Sequence, residues 1–165
     1  MVTGSSRPPR TPAVRKYVLV VIHEHSRFPV VETIRSTSTE RVLPKLRQIF
    51  ALFGTPDVVK PDNGPPFNSK DMSSFATELN FTHRKVTPYW PQANGTVERF
   101  MKPLVKLTQT AHIEGEHLEP ELHAYLTNYR QTPHLTTGCT PHSLILSDVS
   151  QRPQRSATNT SIART

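Results

Sequence analysis

Val58-Val59-Lys60-Pro61-Asp62-Asn63-Gly64-Pro65-Pro66-Phe67 changes character within a few residues. Two β-branched residues make a short strand, Asp62 stands at its carboxyl end, and Asn63-Gly64-Pro65-Pro66 forces a turn. A second acid, Glu98, lies in Pro91-Gln92-Ala93-Asn94-Gly95-Thr96-Val97-Glu98-Arg99-Phe100, at the opening of a helical pattern. Residues 63–97, 35 in all, separate the two acids. Taken singly, neither says much: an Asp before Asn-Gly is ordinarily a turn residue, and a Glu in a first helical turn complements the helix dipole. Hard divalent cations are held by carboxylate oxygens, and two acids from separated segments can supply them if the fold brings them together. Two Mg²⁺ ions about 3.5–4 Å apart both activate an oxygen nucleophile and neutralise charge at a phosphate.

Upstream of this stretch, Tyr17-Val18-Leu19-Val20-Val21-Ile22 reads as a buried strand. Phe28 to Ile34 is its antiparallel neighbour across His23-Glu24-His25-Ser26-Arg27. From Thr39, apolar Val42, Leu43, Leu46, Ile49, Phe50 and Phe53 recur at helical spacing, with Gly54 as the stop signal. Downstream, Ser69 to Leu79 carries Met72, Phe75 and Leu79 on one helical face, and Phe81 to Val86 reads as a strand. Thr87 to Gly95 is rich in turn formers and reads as a loop. Val97, Phe100, Met101, Leu104 and Leu107 then trace an apolar stripe of a helix in which Pro103 predicts a kink. Leu118 to Tyr129 is a further helix, and Thr140 to Leu146 a short one with a Thr cap and Pro at its first turn.

The ends read differently. Pro8, Pro9 and Pro12 disfavour helix and central strand, so residues 1–14 are expected to be a disordered Pro-rich arm. Residues 15–147 form the folded core, and 148–165, dominated by Gln, Arg, Ser, Thr and Asn, are expected to be a disordered tail. The chain has 165 residues, room for one domain, and 20 Lys and Arg against 13 Asp and Glu give a net charge of +7, which favours a polyanionic partner. Its one cysteine, Cys139, excludes an internal disulfide and a zinc finger within this sequence. No apolar run approaches the roughly 20 residues that cross a bilayer. Nucleic acid is thus one expected partner class, beside the plainer reading of a merely soluble basic surface; a homo-oligomer is a further expectation, with no membrane and no zinc.

Three segments occur in order, the first two with 35 residues between their acids: Asp62-Asn63-Gly64-Pro65-Pro66-Phe67, Pro88-Tyr89-Trp90-Pro91-Gln92-Ala93-Asn94-Gly95-Thr96-Val97-Glu98-Arg99-Phe100, and Asn128-Tyr129-Arg130-Gln131-Thr132-Pro133-His134. Over residues 17–147 the chain thus resembles the catalytic core of retroviral and retrotransposon integrases, in particular the Ty3/Gypsy branch. The resemblance implies an α/β, RNase H-like mixed sheet flanked by helices. It implies that Asp62 and Glu98 are catalytic metal ligands for Mg²⁺ or Mn²⁺, and that Tyr89, Gln92 and Asn94 contact DNA near the reacting phosphate. Lys102 and Lys106, four and eight residues after Glu98, are placed to follow a phosphate backbone; solvated lysines are the simpler reading. Tyr89 and Trp90 are also explained by packing of the loop against the sheet. The resemblance assigns Asn128–His134 a structural role, and a nuclear location follows from the substrate class alone.

One element of the pattern is missing. The family carries its first metal-binding Asp on a first strand some fifty to sixty residues before the second, and no acid precedes Glu24 here. Glu24 falls in the hairpin turn and is not a ready substitute, and His23 and His25 read as surface or packing residues. In such a fold the first strand is central, between the strand from Tyr17 and the strand ending at Asp62. The expectation is a sheet lacking that strand, with the gap filled by Met1–Ser6, a partner or an upstream segment, and with catalysis impaired. The alternatives are an active Mg²⁺-dependent polynucleotidyl transferase, if an upstream strand supplies the missing Asp, and a domesticated remnant that binds DNA or a partner without turnover. A different RNase H-like nuclease is disfavoured by the Pro-Gln-Ala-Asn-Gly segment.

Overall fold

A computed structural model describes residues 17–62, 64–84, 91–114, 118–150 and 159–164; side chains of residues 91–96, 98, 111–114, 159, 163 and 164 lie outside that description. Along the chain run β1 (Tyr17–His23), β2 (Pro29–Ile34), α1 (Thr39–Phe53), β3 (Val58–Pro61), α2 (Lys70–Glu78), β4 (Thr82–His83), α3 (Pro91–Glu114), α4 (Leu118–Gln131), α5 (Pro141–Ser150) and β5 (Asn159–Arg164).

The apolar run of β1 is buried on both sides, and its alternation sorts the core into two layers. Leu19 and Val21 join Val42, Leu46, Ile49 and Phe50 of α1 and Met72, Phe75 and Ala76 of α2 on one face. Val18, Val20 and Ile22 join Val97, Phe100 and Leu104 of α3 and Leu122 and Leu126 of α4 on the other. Full burial of one such side chain contributes about 1.5–3 kcal/mol, so β1 is the strand about which both layers form.

Local signals set the element ends. Gly54 closes α1 at φ +82°, a conformation side chains rarely adopt. Ser69 caps α2, its hydroxyl accepting from the Met72 N–H at 3.2 Å. Between β1 and β2 the chain turns through Arg27 at φ +61°, with the Arg27 N–H donating to the His23 carbonyl at 2.8 Å. Arg130 of α4 grips this hairpin from the other layer. Its Nε and Nη2 donate to the Pro29 carbonyl at 3.2 and 2.9 Å, and its guanidinium stacks 4.7 Å over the Phe28 ring.

The sheet is mixed and five-stranded, in the order β2-β1-β5-β3-β4. β1 pairs antiparallel with β2 and with β5; β3 pairs parallel with β4 and with β5. The expected mixed sheet flanked by helices is therefore present, with two corrections. Residues 159–164, expected within a disordered tail, form a strand, and α5 runs to Ser150, past the expected boundary at 147. The central place between β1 and β3, expected to be empty or filled from Met1–Ser6 or another chain, is taken by β5. Met1–Ser6, the arm 1–14 and the remainder of the tail lie outside the described residues.

The physical reason is backbone satisfaction. A gap there would leave facing rows of N–H and C=O groups in the sheet interior, each unmade bond costing about 1–3 kcal/mol. Asn-Thr-Ser-Ile-Ala-Arg, polar in composition, still has Thr160 and Ile162 two apart, and Ile162 enters the α1/α2 layer beside Val59. A further correction concerns the segment before Glu98: α3 starts at Pro91, so 91–95 are helical rather than loop. Pro is compatible with a first helical position, and the packing of Val97 and Phe100 further along offsets the poor propensity of Asn94 and Gly95.

Candidate functional site

β3 delivers Asp62 to the carboxyl edge of the sheet. Its backbone N–H donates to the Ile162 carbonyl at 2.9 Å, prolonging the β3–β5 ladder by one bond. The Asp62 Oδ1 accepts from the Gly64 N–H at 3.3 Å, an Asx turn that starts the reversal. The Phe67 N–H then donates to the Gly64 carbonyl at 3.0 Å, and the Phe67 ring, 1 % exposed, pins the turn into the α1/α2 layer. Ile162 of β5 on one side and Gly64 of the turn on the other thus hold Asp62.

Glu98 lies on α3 between Val97, which is buried, and Arg99, which is exposed; its side chain is outside the described residues. The same holds for the side chains of Gln92 and Asn94, in the first turns of α3, and Tyr89 and Trp90 are outside the description altogether. Lys102 and Lys106 are exposed on α3, opposite buried Phe100 and Leu104. Arg99 precedes Lys102 by three residues and Lys106 follows by four, so the three cations share one helical stripe. Sequence reading had missed Arg99, although its i, i+3, i+7 spacing was available. Positive charge also reaches the loop after α4: burial, and then Arg27 and Arg99, hold His134 below the ordinary histidine pKa.

Glu24 leaves the hairpin turn and crosses to the sheet interior. Lys60 Nζ donates to its two carboxylate oxygens at 3.0 and 2.9 Å, and Ser161 Oγ donates to Oε1 at 2.7 Å. Lys60 precedes Asp62 by two residues, so strand alternation puts it on the same sheet face. Glu24 therefore ties β1, β3 and β5 together with its charge already compensated. His23 and His25 have a comparable task at the hairpin. His23 Nδ1 lies 2.8 Å from Ser26 Oγ and 3.7 Å from Asp148 of α5, and His25 Nε2 lies 3.8 Å from the other Asp148 oxygen.

The donor set can be judged against a divalent cation. Such ions need several carboxylate oxygens at one point, and among the described residues no group of three or more His, Cys, Asp or Glu is placed to hold one. The strand that lies against Asp62, Asn159 to Arg164, contains no acid. Among the described residues, the three-carboxylate set that two ions would need is therefore not made up.

Residues 4–91, more than half of the chain, match the family model described as Integrase core domain. The uncharacterized protein K02A2.6 of Caenorhabditis elegans is 30% identical over 126 residues, covering 76% of this chain and 10% of that protein. The Gag-Pro-Pol polyprotein of Mason-Pfizer monkey virus is 36% identical over 84 residues, covering 51% of this chain and 5% of the polyprotein. The chain spans a tenth or less of the length of these two relatives. Among solved structures, the catalytic core domain of BIV integrase superposes with a TM-score of 0.67 at 22% identity, covering 83% of this chain and 90% of that one. A chain of the simian T-cell lymphotropic virus intasome in complex with PP2A regulatory subunit B56 gamma gives 0.65 at 22% identity, over 78% of this chain and 48% of that one. Among the described residues, no helix is long and apolar enough to cross a membrane.

Proposed function

We propose, from the premise that this chain belongs to the integrase core domain family, that it is a retrotransposon-type integrase core that binds DNA and is catalytically impaired. The observation that carries this reading is the strand beside Asp62. The occupant of the central position, β5, is bonded to the Asp62 backbone and brings no carboxylate. Glu24, the earliest acid in the sequence, is engaged by Lys60 and Ser161. Asp62 and Glu98 remain as the pair that would hold a Mg²⁺ or Mn²⁺ ion. When bound, such an ion would polarise a phosphate oxygen; the chain's own part would be to position it from a strand end held by an Asx turn. Loss of one anionic ligand weakens the second of two ion sites most, because neighbouring dications repel.

DNA binding is proposed on the basic balance of the chain and on the Arg99, Lys102 and Lys106 stripe, with Tyr89, Gln92 and Asn94 as further contacts. In this reading the partner is the DNA backbone, the location is nuclear, and assembly is as a homo-oligomer. The Ty3/Gypsy branch is supported by the Pro-Tyr-Trp-Pro-Gln-Ala-Asn-Gly segment. Fluorescence anisotropy of a labelled duplex, titrated with the chain at several salt concentrations, tests the binding half of the proposal. Affinity that falls steeply with salt is expected; no binding at low salt would contradict it.

A further inference from the structure

We infer that the slot between β1 and β3 is a strand-accepting site, and that its occupant in trans is residues 159–164 of a second copy of this chain. Two copies would then exchange β5 reciprocally about a two-fold axis. The proposal does not depend on the DNA-binding reading.

What holds β5 in place is independent of which copy supplies it. On one side Leu19, Val20, Val21, Ile22 and His23 pair with Arg164, Ala163, Ile162, Ser161 and Thr160. On the other, Val58 to Pro61 pair with Asn159 to Ile162, and the Asp62 N–H adds its bond to Ile162. The side-chain anchors are Ser161 Oγ on Glu24 and Ile162 in the α1/α2 layer. Every one of these partners lies within residues 17–81. A strand of identical sequence from a second chain meets identical partners, so exchange costs no contact.

Among the described side chains, the strand gives up less apolar surface on leaving than β1, with which it pairs. β1 buries five large apolar residues, Val18 to Ile22, whereas β5 buries Ile162 beside the small polar Thr160 and Ser161. Its withdrawal is opposed chiefly by two unpaired backbone edges, and a second copy's strand satisfies both. Between Ser150 and Asn159 there are eight residues, Gln151 to Thr158. A short tether gives a local strand concentration on the order of mM. Self-insertion therefore dominates in dilute protein, and exchange competes as the protein approaches that concentration.

The experiment uses two full-length chains in a Cys139→Ser background, which removes the exposed native thiol. One carries His23→Cys and the other Thr160→Cys, at positions that face each other across β1 and β5. The chains are refolded together, oxidised, and examined on non-reducing gels, with the disulfide identified by mass spectrometry. Entry of β5 of one chain into the slot of the other brings the two new thiols face to face, and the Ser161→Pro control separates that route from association through another face. The expected result, for an equal mixture, is a linked heterodimer that rises from undetectable at about 10 μM to about a quarter of the protein at about 1 mM, and that is lost when Ser161→Pro is added to the Thr160→Cys chain. A single chain carrying both cysteines must close its own disulfide, which shows that the pair is competent. No heterodimer at either concentration, with that internal bond formed, would overturn the proposal. So would failure of the internal bond, which would contradict the register, and so would a heterodimer that survives Ser161→Pro, which would place the association on another face.

Discussion

The Asp62 N–H donates to the Ile162 carbonyl at 2.9 Å, joining an acid at the end of β3 to a strand a hundred residues later in the sequence. Through this bond the position of Asp62 and the occupancy of the central slot become one structural question. Weakening β5 should therefore disturb both the sheet and the acid at its edge.

Ile162, 2 % exposed, fills the α1/α2 layer against Val59 and its neighbours. Ile162→Ala should cost about 2–5 kcal/mol, the transfer and cavity loss of a buried aliphatic side chain. Urea unfolding followed by circular dichroism measures it. An effect within ~0.5 kcal/mol, as at exposed sites, would mean that residues 159–164 are not in the core.

Glu24 and Lys60 expose only 23% and 18% of their side chains, so water replaces a lost partner only in part. Glu24→Gln and Lys60→Met singly should each destabilise by roughly 1–3 kcal/mol, the range for a partly buried charged hydrogen bond. The double variant should lose less than the sum of the two. Strict additivity in a double-mutant cycle would show that the pair does not interact.

Lys102→Ala and Lys106→Ala should leave stability within about 0.5 kcal/mol, since both side chains are exposed. Each should lower DNA affinity and reduce the slope of log K against log salt by about 0.9. Anisotropy titrations at four salt concentrations give the slope. An unchanged slope would assign these lysines to solvent.

His134 is held below the ordinary histidine pKa, first by burial and then by Arg27 and Arg99. A folded-state pKa below the unfolded value means that the unfolded chain binds the proton more tightly. The His134 contribution is therefore fully present above the unfolded value near 6.5 and is lost as pH falls through and below it. Wild type should lose stability relative to His134→Gln between pH 7.5 and 5.5, in paired urea titrations. A relative gain on acidification would reverse the assignment.

Much of this fold could be read from short-range signals. The continuous run Tyr17–Ile22 announced a strand buried on both faces, and Val42 to Phe53 with Gly54 announced α1, because side-chain period and caps are local properties. Ser69 and Thr140 likewise fixed helix starts through their own hydroxyls. What stayed hidden was non-local. Asn159-Thr-Ser-Ile-Ala-Arg has one large apolar residue, and its strand state comes from two neighbours, β1 and β3, which no window around residue 160 contains. The start of α3 at Pro91 was obscured by Asn94 and Gly95, whose propensities oppose a helix that the packing of Val97 and Phe100 imposes. Around the candidate site, the place of Asp62 at a strand end and the exposure of Lys102 and Lys106 on α3 were legible from residue type and spacing. The pairing of Glu24 with Lys60 and Ser161 was not, because its partners lie 36 and 137 residues away.

The central claim is that an acid-free strand fills the place beside Asp62 and leaves the chain without enough carboxylates for efficient turnover. Strand-transfer assays with a labelled donor duplex in Mg²⁺ or Mn²⁺ test it most directly, comparing the chain with Asp62→Asn and Glu98→Gln at equal concentration. The account predicts the same background product from all three. Product from the unaltered chain at least tenfold above both variants would contradict it.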